Sequence, residues 1–284
     1  MKQYFSYEKW NIATTGSTLT ELLNANWKTL SVVDHQNNWQ NAADPFYLDD
    51  HIYFEEFSYC DEGKIVQLNL KTNQRQTVYS PGYHVSFPTQ CEVGFMVESS
   101  SENVLTILDR NWDVIRTETV PSNSYLDPTI YTADGMKFLF CSKHGRQKHS
   151  VLHIYRLNSL GEWEAVVDEP ICLSQFGGRM AGQIISDPDL GTIRFGQISS
   201  PKYGTAIAVY RITSLDEVSY SEELIGQIDP PKGFDGIHTI NVCEQGYVVD
   251  LRRDKTFSML KIFQLLKKRF KGSRSFSSMK IARR

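Results

Sequence analysis

The sequence has little that would mark a secreted, membrane-spanning or metal-dependent protein. Its five cysteines, Cys60, Cys91, Cys141, Cys172 and Cys243, are odd in number, far apart and without a CxxC pair. That spacing excludes a zinc site of the usual pattern and a disulfide framework, and it fits a reducing cytoplasm. No run of about 18 apolar residues occurs, as a membrane span would need. The first residues, MKQYFSYEKW, carry no apolar h-region, and there is no Asn-x-Ser/Thr sequon. The expectation is therefore a cytoplasmic protein. Also missing are a phosphate-cradling glycine loop, an HExxH helix and a nucleophile elbow, so no cofactor and no metal is expected.

What is present is enough apolar side chain for a sizeable core. Of 284 residues, 40% are hydrophobic and 12% aromatic, and mean hydropathy is −0.37. The formal charge of −3 conceals an asymmetry: residues 252–284 hold 12 Lys/Arg and one acid, leaving 18 basic and 32 acidic residues in 1–251. An acidic body carries a basic tail.

The body repeats. Five segments, 43–57, 84–99, 126–142, 178–198 and 235–251, share a polar cluster, a short apolar strand, a turn and a second strand rich in aromatic and β-branched residues. Aligned on Pro45, Pro88, Pro128, Gln183 and Thr239, they are spaced by 43, 40, 55 and 56 residues. Further alternating stretches lie between the anchors, and helical periodicity is absent before residue 256. Units of this length with four strands each predict an all-β, five-bladed β-propeller over residues 1–251, with blades starting near 43, 84, 126, 178 and 235. The first forty residues are expected to supply strands that close the ring. Residues 252–284 form the tail, with an amphipathic helix expected over 256–271: Met259, Leu260, Ile262, Phe263, Leu266 and Phe270 on one side, Lys261, Lys268, Arg269 and Lys271 on the other. Such a helix suits an anionic membrane surface, so a peripheral position at the inner face of the membrane is expected; the alternative is a helix docked on the propeller. Nucleic acid is not expected as a partner, because the tail's aromatics do not interleave with its cations.

In a propeller the innermost strands line the axis, so polar residues that recur at their starts converge on one pocket. Those residues are Asp44, His84, Ser86, Asp127, Arg179, Gln183 and His238, with Arg194 and Gln197 on the strand after the fourth turn. Asp44 and Asp127 both precede proline, and two carboxylates across a channel are the minimum for acid–base work on a sugar. Glu55, Glu56 and Glu98 could supply a third carboxylate, or lie salt-bridged near the blade rim. Arg179 and Arg194 suit a phosphate or carboxylate. Asp187-Pro188-Asp189 resembles a metal-binding DxD but lies at a hairpin turn, where Asp and Pro are expected anyway. His149 and His153 would be roughly 13 Å apart along a strand, too far for one metal ion.

The succession WNIA, ADPF with YFEE, HVSFP with MVES, LDPT with ADGMKFLF, GRMAGQI with RFGQ, and GIHTINV, over residues 8–251, resembles the N-terminal domain of the glucosamine inositolphosphorylceramide transferase family. That domain is in turn similar to the propellers of glycoside hydrolase families 43, 32 and 68. The resemblance implies that Asp44 matches the hydrolases' first-blade base or nucleophile, and Asp127 the third-blade aspartate that positions it. Where the hydrolases carry an acid glutamate, this chain has Arg179, which cannot deliver a proton at neutral pH. Three functions follow as expectations. The first is an enzyme of surface-polysaccharide or glycolipid assembly that transfers a glycosyl unit from a phosphate-activated donor, a sugar nucleotide or glycolipid, with Arg179, Arg194 and His238 on the phosphate. The second is a non-catalytic sugar or nucleotide-sugar binding module that serves a partner glycosyltransferase. The third is a furanoside hydrolase.

Overall fold

A computed structural model describes residues 4–33, 40–58, 62–99, 104–118, 125–143, 149–172 and 177–258. In chain order, β1 (Tyr4–Thr15), the short helix α1 (Leu19–Leu23) and β2 (Ser31–Val32) precede four blades. The first is β3 (Asn41–Leu48), β4 (His51–Phe57), β5 (Lys64–Asn69) and β6 (Arg75–Tyr79). The second is β7 (Ser86–Cys91), β8 (Gly94–Ser99), β9 (Val104–Leu108) and β10 (Val114–Glu118). The third is β11 (Tyr125–Ala133), β12 (Met136–Lys143), β13 (Val151–Leu157) and β14 (Trp163–Ala165), with β15 (Ile171–Cys172) also on β13. The fourth is β16 (Ile185–Asp187), β17 (Gly191–Ile198), β18 (Ala206–Leu215) and β19 (Tyr220–Ile228). The fifth takes β20 (Gly236–Cys243) and β21 (Gly246–Ser258) from one end of the chain and β1 and β2 from the other. The chain is an all-β, five-bladed propeller, and β1 closes the ring by pairing with β21 from Tyr4 opposite Ser258 to Thr15 opposite Tyr247.

Alternation explains the packing. On β4, Ile52 and Phe54 face the fifth blade, where they meet Ile12, Cys243 and Val248; Tyr53 faces the second, where it meets Phe95 and Trp112. Strands so placed are buried on both faces. Each of the five blade interfaces has its own apolar cluster, the largest joining Phe195, Ile207 and Val209 to Ile237, Val249 and Leu251. The core is thus a ring of wedges, and the axis is left to polar side chains. α1, with a Thr18–Glu21 capping box, presses Leu19 and Leu22 onto the wedge between the fourth and fifth blades.

The innermost strands share a defect. Register slips between Ala43 and Phe46 on β3, Ser86 and Thr89 on β7, Leu126 and Thr129 on β11, and Ile237 and Ile240 on β20. These are β-bulges, which re-aim a side chain and leave an amide unpaired. Asp44, Phe87 and Asp127, each followed by proline, take positive φ of 52°, 46° and 53° there. In the fourth blade the innermost place is shared by β16 and the segment 178–183, tied by the Met180–Gly196 bridge and by Ile240 N–H donating to Ala181 O at 2.7 Å.

The tail begins later than the charge pattern suggests. Arg252, counted with it, is buried and donates to the carbonyls of Tyr203 and Asp235. The helix expected from residue 256 meets a strand instead: 256–258 lie in β21, paired with 4–6. The rest of 256–271 lies outside the described residues.

Phe54 is fully buried in the wedge between the fifth and first blades. Phe54→Ala is expected to cost about 3–5 kcal/mol, measured as a lower midpoint in urea unfolding.

Candidate acid–base site at the propeller axis

Asp44 and Asp127 stand on the bulges of β3 and β11, buried to 6% and 3% exposure. The displaced Asp44 N–H donates to Asp250 Oδ2 at 3.0 Å, and that of Asp127 to Glu98 Oε2 at 2.6 Å. Each acceptor comes from the preceding blade, so a backbone requirement brings four carboxyl groups to the axis. Asp250, on β21, also accepts the amides of His238 and Thr239 on Oδ1, at 3.0 and 2.9 Å.

Asp44 and Asp127 differ in company. Asp44 Oδ1 accepts Thr239 Oγ1 at 2.8 Å and lies 3.3 Å from His238 Nε2; among the described residues Oδ2 carries no hydrogen bond. Burial pushes Asp44 up to about 6, with the His238 charge opposing and Asp250 and Asp127 adding to the rise. Asp127 is gripped by Arg179, Nε to Oδ2 at 2.5 Å and Nη2 to Oδ1 at 2.8 Å, and by Gln197 Nε2 at 2.9 Å. Burial opposes the charge on Arg179, yet the Asp127 carboxylate outweighs it and holds the guanidinium's pKa well above its ordinary value. Burial, then the Asp127 charge, pushes Glu98 up to about 8. The shift favours the protonated form of Glu98, and its Oε1 is free of hydrogen bonds among the described residues.

Of the nine residues expected at the axis besides the glutamates, the structure gathers five into two adjoining groups, Asp44 with His238 and Asp127 with Arg179 and Gln197, whose charges act on one another. Gln183 and Ser86 lie beside them, half-buried: Gln183 donates its amide N–H to Asn241 Oδ1 at 2.7 Å, and Ser86 stands opposite Glu98 in the β7–β8 register. His84 belongs to a second group. Its Nδ1 accepts Gly63 N–H at 3.1 Å, which puts the proton on Nε2, 3.4 Å from Glu55 Oε1. A Cβ on Gly63 would lie 2.7 Å from both Glu55 Oε1 and His84 Nδ1, so only glycine permits this approach. Glu55 is raised well above the carboxylate range by burial and then by the Asp44 charge.

Two expected residues are elsewhere. Arg194 is fully buried, but its Nε and Nη2 clasp Glu222 at 2.6 Å each and its Nη1 donates to Gly177 O at 2.8 Å. It anchors the segment that carries Arg179 and has no donor turned to the axis. Glu56 pairs with Arg75 and Lys64, since adjacent residues on a strand face opposite ways and its neighbour Glu55 takes the axial side. Asp250 was missed by sequence reasoning because it ends an apolar run, Tyr-Val-Val-Asp-Leu, with no turn residue to flag it. Asp44, His238 and Asp250 have ligand-type atoms within 4.8 Å of one another. Both His238 nitrogens face carboxylate oxygens, at 2.7 Å from Asp250 Oδ2 and 3.3 Å from Asp44 Oδ1, so the three side chains form an ion-paired cluster.

No protein-family model matches the chain, and no curated protein matches it. Among solved structures, a protein of unknown function from Dyadobacter fermentans is similar at 12% identity over 74% of each chain, with a TM-score of 0.49. The GH43_1 enzyme from Xanthomonas citri in complex with xylose is similar at 10% identity over 87% of this chain and 89% of that one, TM-score 0.47. A chain of a nidogen/laminin complex is similar at 11% identity over 90% and 95%, TM-score 0.49. At this distance the reading of the site rests on the chain's own residues.

Glu98 keeps its proton in the fold up to about pH 8 but loses it near 4.5 when unfolded. The folded state therefore binds more protons between those values, and stability falls as pH rises through them. Glu98→Gln retains an oxygen for the Asp127 amide and has no proton to lose; urea midpoints measured from pH 4.5 to 8 are expected to fall less steeply than in the parent.

Proposed function

We propose that the axial site binds a carbohydrate and performs acid–base chemistry on its glycosidic bond. Asp44 acts as base through its free Oδ2, Glu98 as acid through Oε1, and Asp127, held by Arg179 and Gln197, positions the substrate. The observation that carries this reading is a pair of buried carboxyl groups with different surroundings, Asp44 beside the His238 ring and Thr239, Glu98 against the amide and charge of Asp127, which place Asp44 at about 6 and Glu98 at about 8. Environments that push two carboxyls apart assign an acid and a base. Water or an acceptor hydroxyl can take up the sugar on the same pair, giving hydrolysis or glycosyl transfer. The phosphate-bearing donor expected from the sequence is less well supported, because the donors of Arg194 are engaged by Glu222 and Gly177 and two of those of Arg179 by Asp127.

A second reading, a non-catalytic sugar-binding module serving a partner glycosyltransferase, is favoured by one observation: Asp127 is fully engaged in a two-pronged ion pair. The two readings part on turnover. Release of sugar from aryl glycosides, or its transfer to an acceptor, is expected to follow a bell-shaped pH dependence with limbs near pH 6 and 8, set by Asp44 and Glu98. Asp44→Asn is expected to lower kcat by about a hundredfold or more. Saturable sugar binding without turnover, unchanged by Asp44→Asn, supports the binding module instead.

The location is proposed on charge. No helix among the described residues is long and apolar enough to cross a membrane. The basic segment after Ser258 lies outside the described residues, and its composition suits an anionic surface. A chain ending at Ser258 keeps the whole of β21; it is expected to lose co-sedimentation with phosphatidylserine vesicles, and equal binding by both forms refutes the membrane role.

A further inference from the structure

His238 is the one imidazole held between two carboxylates among the described residues. Nδ1 lies 2.7 Å from Asp250 Oδ2 on β21, and Nε2 lies 3.3 Å from Asp44 Oδ1 on β3. A neutral ring has one donor and one acceptor nitrogen; with a carboxyl oxygen facing each nitrogen, both contacts are favourable when both nitrogens carry protons. The surroundings suit a cation. The Trp10 ring, from β1, lies 4.3 Å from the imidazole at 51°, and Tyr203, from the segment between β17 and β18, lies 5.1 Å away at 65°. The Asp127 carboxylate on β11 adds a further negative charge, and the neighbouring Thr239 is neutral. Only 3% of His238 is exposed: burial opposes a charge on the ring, and the facing carboxyl groups, little screened by water, outweigh it.

Asp250 is fully buried and accepts three backbone amides, those of Asp44, His238 and Thr239, and one of its oxygens lies in ion-pair contact with the imidazole. It therefore fixes the bulges of β3 and β20 in place and supplies the counter-charge to the ring.

We propose that Asp250 and His238 are a positioning pair, in which Asp250 holds His238 as an imidazolium against Oδ1 of Asp44, so that Asp44 is ionised inside the fold and presents Oδ2 as the base. The naming of Asp44 as base rests on the proposed function; the charge on His238 does not. Burial favours the protonated form of Asp44, and the adjacent cation opposes this. His238 thus acts on the electrostatics of the base and not on the phosphate of a donor.

The test is nitrogen NMR on the full chain labelled with ¹⁵N-histidine, with the His238 signals assigned by their loss in His238→Gln. At pH 7.5 without substrate, both ring nitrogens of His238 are expected at imidazolium shifts, and the ring is expected to titrate above the ordinary histidine value of about 6.5. Asp250→Asn, which keeps an oxygen for the amides, is expected to lower the ring's proton affinity at least about tenfold, one pH unit. A parent ring that is neutral at pH 7.5 overturns the proposal with no variant needed. A folded Asp250→Asn chain whose His238 titrates as in the parent overturns the role of Asp250. If the axial site turns over glycosides, His238→Gln is expected to move the acid limb upward from about pH 6 by at least one unit, with KM little changed; an unmoved limb overturns the link to Asp44. Since the ring titration needs no substrate, failure of the glycoside assay leaves its outcome standing, and the two failures are told apart.

Discussion

A backbone N–H displaced from its ladder inside a protein must find an acceptor, and leaving it unpaired costs about 1–3 kcal/mol. The innermost strands of this propeller create that demand at their bulges, and at two of them a carboxyl group from the neighbouring blade meets it: Asp250 for Asp44, Glu98 for Asp127. The same bonds couple one blade to the next and gather acids at the axis. The site's chemistry is thus inseparable from how the backbone is satisfied, and the four carboxyl groups so joined differ in the partners that remain to them.

Burial supplies the other half. Asp44, Glu55, Glu98, Asp127 and Asp250 are all buried, with two cationic partners, Arg179 and His238. Five negative charges against two cannot coexist there cheaply, so some groups retain protons. Asp127 is held by Arg179 and Asp250 accepts three amides; the proton affinities of Glu55 and Glu98 rise, with burial as the main cause.

The ring of blades was legible in the sequence because its signals are local: alternation, turn residues and a recurring anchor. Asp44 and Asp127 were legible for the same reason, since Asp-Pro marks each bulge. Partners distant in sequence were not. Arg194 looks like a free cation until β19 brings Glu222 to it, 28 residues on. Glu55 and Glu56 are adjacent, and only the β3–β4 register, with Glu55 opposite Ala43, decides which one reaches the axis. Asp250 hides in an apolar strand because its acceptor role serves amides on two other strands.

The pairing of β1 with β21 has a meaning for biosynthesis. Twelve residue positions near one end of the chain find their partners more than two hundred residues later. While the ribosome is still making the middle blades, β1 has no β21 to bind, and Trp10 has no His238 beneath it. Contacts of such separation are made late and fold slowly. The nascent chain therefore carries an unmatched apolar strand edge through most of its synthesis, and the axial cluster, whose residues come from the first and last blades alike, is assembled only when the circle is complete.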